Sequence, residues 1–328
     1  MSGLIGHREA VTAFSAAALS ERLHHAWLLA GPQGVGKARF AAAAATWLLA
    51  RGMAPAPEEA GLNVPPDHPT VRLLEAGSHP DFKRLERLVK DRSEDLARSI
   101  GVEQVRGLQP LFATTPSLSS RRVVVIDAVD DLERSAANAL LKNLEEPPAG
   151  TIFLLVSHAP GRLLPTIRSR CRMLRFSPLD QRDTEAVLTA TLPEAERSEI
   201  ATLAGIAAGA PGDAIRFAGL DIAGLDAAIE RLARDGDTTN AHRVALARSL
   251  SLKTAQPRYE AFLERAPGRI AAAARAGGAG MQAALTAWEK ARRIADLAIR
   301  QSLDPQLTVF EIAGLVASLA RPDAAAKG

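Results

Sequence analysis

The stretch Gly31-Pro32-Gln33-Gly34-Val35-Gly36-Lys37 lies between the apolar run Ala26–Ala30 (AWLLA) and the helix-forming run ARFAAAAATWLL, and it constrains this chain more than any other feature. A strand, a glycine-rich turn and a helix, in that order, let backbone N–H groups converge on an oxyanion. Gly31, Gly34 and Gly36 permit the close approach, Lys37 can reach terminal phosphates, and the helix N-terminus adds positive potential. Phosphate-loop ancestry follows from that context, with a nucleotide as the expected ancestral ligand.

Two further short apolar runs, residues 122–126 (RVVVI) and Thr151–Ser157 (TIFLLVS), read as buried strands of a parallel sheet, because helix-length segments separate them. Between them DDLERSAANALLKNLEEPP puts Leu132, Ala136, Leu140 and Leu144 on one helical face, with acids at its start and Pro147 and Pro148 at its stop. The first part of the chain is therefore α/β. Residues 51–81 are rich in Pro and Gly without sustained periodicity and read as an excursion from the sheet with little secondary structure at its tip. After Phe176 the pattern is helical throughout, broken by GAPGD at 209–213 and AGGAG at 276–280. Those breaks divide the chain into an α/β domain at 1–177, a small helical domain at 178–219 and a helical domain at 220–328, with a frayed tail.

Composition narrows the class of function. A length of 328 residues suits two or three domains, and no apolar run approaches the ~18 residues of a membrane span. MSGLIGHREA has no basic region ahead of an apolar stretch, so no secretory signal is read and the cytoplasm is expected. The single cysteine, Cys171, rules out a multi-thiolate zinc site; it reads as a small buried residue, and no metal site is expected. His68 and His79, without thiolates, read as solvated or helix-associated. A net charge of +3 and 4% aromatics leave no footprint of a protein that grips nucleic acid alone.

The catalytic groups that should accompany a phosphate loop are incomplete. Residue 38 is Ala where a Ser or Thr hydroxyl would coordinate magnesium. Asp127, at the end of VVVID, stands where a carboxylate would help hold the metal, yet Ala128 follows in place of a water-activating glutamate. Asp130 and Asp131 read as caps of the following helix.

The order GPQGVGK, VVVIDAVDD, AANALLKNLEEPP and FLLVSHAPGRLLPTIRSRCR resembles the bacterial DNA polymerase III clamp-loader family over about residues 4–220. The resemblance implies a RecA-like AAA+ domain, a helical lid and a helical collar within a five-subunit ring. It also implies that Arg170, in Ser169-Arg170-Cys171, reaches the ATP of an adjacent subunit, and that Ser157 holds the position of a phosphate sensor. The matching lid stretch, Gly209 to Gly212, lacks the family's arginine. These departures point to the subunit that does not hydrolyse ATP rather than to gamma or tau. No cofactor is then required, although ATP or ADP could bind weakly at Gly31, Gly34, Gly36, Lys37, Asp127 and Ser157. Gamma/tau and delta subunits are the implied partners, with the sliding clamp and primer-template DNA met through the complex and no membrane. The basic run Arg168, Arg170, Arg172 and Arg175 reads as one side of an extended segment. An independent AAA+ DNA-dependent motor is the alternative, disfavoured by Ala128; a nucleotide kinase leaves the two helical domains unexplained.

Overall fold

Strand β1 (Ala26–Ala30), buried at every position, follows helix α1 (Arg8–Leu19) and runs into the glycine loop. In the computed structural model, which describes residues 4–20, 23–53, 61–89, 96–216, 218–278 and 280–320, it pairs in parallel with two strands. The chain continues through α2 (Lys37–Arg51), α3 (Pro69–Glu75), β2 (Phe82–Glu86), α4 (Val102–Arg106), α5 (Gln109–Phe112), β3 (Arg122–Asp127), α6 (Arg134–Glu145), β4 (Thr151–Ser157), α7 (Pro165–Ser169) and β5 (Arg172–Arg175). The described strands form one parallel sheet in the order β2-β3-β4-β1-β5. Helices α8 (Gln181–Thr191), α9 (Arg197–Ala207) and α10 (Pro211–Arg216) follow.

The three strands anticipated from apolar runs, β1, β3 and β4, occupy the centre of the sheet and are buried on both faces. On one face Phe14, Trp27, Phe40, Trp47, Val123, Val125, Leu154 and Phe176 belong to one core cluster, with Phe14 edge-on to Trp27 at 5.1 Å and Phe40 edge-on to Phe176 at 5.0 Å. On the other face Leu28, Val124, Ile126, Leu140, Leu144, Phe153 and Ile167 form a second. The edge strands β2 and β5 each bury one residue, Leu85 and Leu174, so neither presents an apolar run.

Helix α6 starts at Arg134, with Glu133 at the N-cap, and buries Ala136, Leu140 and Leu144; Leu132 lies before it. The expected excursion contains the α3 helix, capped by the His68 side chain, which accepts from the Thr70 amide at 3.1 Å. Its tip, residues 54–60, lies outside the described residues. Arg168, Arg170, Arg172 and Arg175 do not share one extended segment. Arg168 lies in α7, Arg170 caps it, and only Arg172 and Arg175 belong to a strand, because Pro165 at the first helical position favours a turn of helix there.

By contacts the chain divides into two compact units, Met1–Ile215 and Arg216–Gly328. The second holds α11 (Ile222–Asp235), α12 (Ala241–Leu250), α13 (Gln256–Ala276), α14 (Met281–Gln301) and α15 (Pro305–Ala317). Helix α14 turns a row of small residues, Ala284, Ala287, Ala291, Ala295 and Ala298, inward. That spacing of three and four is a helical stripe. Helices α11 and α13 are cross-linked by Arg265 with Asp226 and by Arg269 with Glu230, two ion pairs one turn apart. No described helix is long and apolar enough to cross a membrane.

Candidate functional site

The C-terminal ends of β1, β3 and β4 come together because the three strands are parallel neighbours; Ala30 registers with Ser157, and Asp127 with Val156. Open α/β sheets bind ligands at this edge. The glycine loop leaves β1 here. Gly31 passes so near β5 that a Cβ would meet the Phe176 carbonyl oxygen at 2.3 Å, and Gly34 and Gly36 adopt positive φ of 75° and 107°. All three glycines are therefore required by geometry.

Groups of its own unit meet the carbonyls of the loop. Lys37 is buried, and its ammonium donates to the Gly31 carbonyl at 2.8 Å and to the Pro32 carbonyl. Burial pulls its pKa down to about 8 against the opposing pull of Asp130, Asp127 and Asp213. The Gly212 amide, in the first turn of α10, donates to the Gly34 carbonyl at 2.8 Å. A Cβ on Gly34 would stand 2.8 Å from the Asp213 carboxyl carbon, so a carboxylate lies against the loop. From the other side His7 Nε2 donates to the Val35 carbonyl at 2.7 Å. The cleft bounded by Leu4, Gly34, Lys37, His158, Gly212 and Ile215 measures about 210 Å³. Ligand pockets usually start at ~300 Å³.

Asp127, at the end of β3, is paired with Arg84 of β2 at 2.8 Å. Ala128 and Ala38 supply no oxygen. Asp130 and Asp131 are not helix caps, because a short turn at Val129–Asp131 carries them away from the start of α6. Asp130 accepts from the Ser157 hydroxyl at 3.0 Å and from the amides of His158 and Ala159 at 2.7 and 3.1 Å. It thus ties the end of β4 to the turn after β3. Asp131 pairs with Arg87 at 3.2 Å. Ser157 is fully buried with its hydroxyl proton committed to Asp130. Burial, and then the Lys37 ammonium, hold the His158 imidazole below its ordinary pKa.

Arg170 stands apart from the loop at the end of α7, with its side chain about one-third exposed at 34%. Its guanidinium meets Glu145 at 2.7 Å and donates to the Thr166 carbonyl at 3.0 Å. Cys171, packed against the second core cluster, has its thiol pushed up to about 12 by burial, so it is no nucleophile at neutral pH. His68 and His79 are buried, each accepting a local backbone N–H through Nδ1, and no metal-holding cluster of His, Cys, Asp or Glu exists among the described residues. Arg84 and Glu145 carry no local sequence signal and Asp130 carries a misleading one, because their roles depend on partners 43, 25 and 27 residues away.

A parallel sheet in this order, with a glycine loop after β1 and a carboxylate at the end of β3, defines a P-loop AAA+ protein. The family model for "DNA polymerase III, delta subunit" matches residues 6–180, and the chain belongs to that family. It is 38% identical over 196 residues to DNA polymerase III subunit delta' of Pseudomonas aeruginosa, covering 60% of this chain and 56% of that protein. The delta' subunit of Bacillus subtilis is 34% identical over 167 residues, 50% of this chain and 46% of that protein. The tau subunit of Escherichia coli is 34% identical over 179 residues, 54% and 25% respectively. The chain spans about half the length of the delta' relatives it matches.

Proposed function

We propose that this chain is a delta prime-type subunit of the DNA polymerase III clamp loader, which hydrolyses no ATP itself and donates Arg170 in trans to the ATP of an adjacent subunit. One combination supports the reading: a phosphate loop whose Lys37 is engaged by its own carbonyls and whose neighbours Ala38 and Ala128 offer no oxygen, in a chain that carries a partly exposed arginine at the end of α7. A guanidinium stays charged and offers planar paired donors to phosphoryl oxygens as charge redistributes in the transition state. Gamma/tau and delta subunits are the proposed partners, with the sliding clamp and primer-template DNA engaged through the assembled complex. The chain itself needs no cofactor and no zinc. An independent motor would need a water-activating acid and a free metal-binding carboxylate; Ala128 and the Asp127–Arg84 pair provide neither.

The test is Arg170→Ala in a reconstituted loader. Ring assembly should persist while DNA-dependent ATP hydrolysis and clamp loading fall by about 10-fold, less than the ~10³- to 10⁵-fold of a single-site arginine finger because several sites share the work. Arg170→Lys should rescue poorly, since a point charge lacks the fork. Unchanged hydrolysis and loading by the Ala variant would make Arg170 a surface charge only.

A further inference from the structure

Arg170 is held at two points by two different elements. Nη2 lies 2.7 Å from a carboxylate oxygen of Glu145, the last residue of α6, and Nη1 donates to the Thr166 carbonyl in α7 at 3.0 Å. Two anchors on the two terminal nitrogens fix the plane of a guanidinium; with the longer contact of Nη1 to the Ser169 hydroxyl at 3.5 Å they engage three of its five donors and leave two for another acceptor. Glu145 has no evident part in stabilising its own helix, since a carboxylate in the last turn opposes the helix dipole. Nor does the pair have the burial that would make it a strong contributor to stability; its side chains are 34% and 48% exposed.

We propose that Glu145 is a positioning residue for Arg170. It presets the orientation of the guanidinium before a neighbouring subunit's phosphate arrives, so that the flexible four-torsion side chain is not ordered at the moment of docking. The inference rests on the reading of Arg170 as the trans-acting arginine. Orientation of this kind acts on turnover at the neighbour's site and leaves nucleotide affinity there alone, because ATP is held by the neighbour's own loop.

The experiment compares Glu145→Ala, Glu145→Gln, Arg170→Ala and the Ala/Ala double variant in the reconstituted complex, after size-exclusion chromatography has checked assembly. Glu145→Ala should lower kcat for DNA-dependent ATP hydrolysis by about 3- to 10-fold at unchanged KM, well under the ~10²-fold of a full 1 Å misplacement. Glu145→Gln should recover most of that loss, because its amide oxygen still accepts from Nη2. The double variant should be no slower than Arg170→Ala. If Glu145→Ala does not assemble, the comparison passes to Glu145→Asp, whose shorter side chain should lose rate where Gln keeps it. A normal or faster Glu145→Ala, or a double variant slower than Arg170→Ala, overturns the positioning role; a faster one would mark Glu145 as a restraint. An inert Arg170→Ala instead sinks the arginine reading itself, which keeps the two failures distinct.

Discussion

The Gly212 amide donates to the Gly34 carbonyl at 2.8 Å, so the first turn of α10 is seated on the glycine loop. An incoming phosphate would have to draw Lys37 from the Gly31 and Pro32 carbonyls and lie near Asp213, which stands against Gly34. ATP and ADP should therefore bind with a Kd of about 1 mM or weaker, roughly −4 kcal/mol, by calorimetry on the purified chain. Hydrolysis should stay at background in the wild type and in an Ala38→Thr, Ala128→Glu variant, because Arg84 would still hold Asp127. Micromolar affinity, or multiple turnover abolished by Lys37→Ala, contradicts this reading of the loop.

Lys37 should give the fold a pH signature. Its folded pKa of about 8 lies below the ordinary lysine value near 10.4, so between these limits the unfolded chain binds more protons and stability rises with pH. Below pH 8 the cost of burying the ammonium is present in full. Urea unfolding of wild type and Lys37→Met from pH 7 to 10.5 should show the wild type gaining on the variant by at most about 3 kcal/mol, all of it above about pH 8. Parallel curves would show that the buried lysine is not perturbed.

Removing Asp130 should cost more than a surface acid does. Its carboxylate satisfies two backbone amides and a buried hydroxyl, and Asp130→Ala leaves all three without that acceptor. A loss of about 2–4 kcal/mol is expected, with faster amide exchange at His158 and Ala159. Asp130→Asn, which keeps one acceptor oxygen, should lose less. A change below ~0.5 kcal/mol for the Ala variant would show that solvent replaces the carboxylate without cost.

The strongest local signals in the chain carried the central fold. AWLLA, RVVVI and TIFLLVS are short, apolar and fully buried apart from the end of β3, and the glycine loop is placed by its flanking strand and helix. The edge strands were not legible, since FKRLE and RMLR each bury only one residue and owe their conformation to pairing with β3 and β1. Asp130 obeys the same logic. Its adjacency to a helical pattern suggested a cap, whereas the short turn beside it directs the carboxylate at β4, a neighbour in the sheet but 27 residues away in sequence.

The sequence alone determined which chemical groups the chain has: the phosphate-loop glycines and Lys37 are present, while residues 38 and 128 are alanines with no oxygen to offer metal or water. Side-chain identity is local information, so no fold could have altered it. What tertiary structure decided is how the surviving groups are used. Arg84 reaches Asp127 across β2 and β3, Gly212 meets Gly34, and Glu145 meets Arg170 from the end of another helix. Each pairing joins segments that only chain folding brings within hydrogen-bond reach, and it is these contacts that give Asp127, Gly34 and Arg170 their partners.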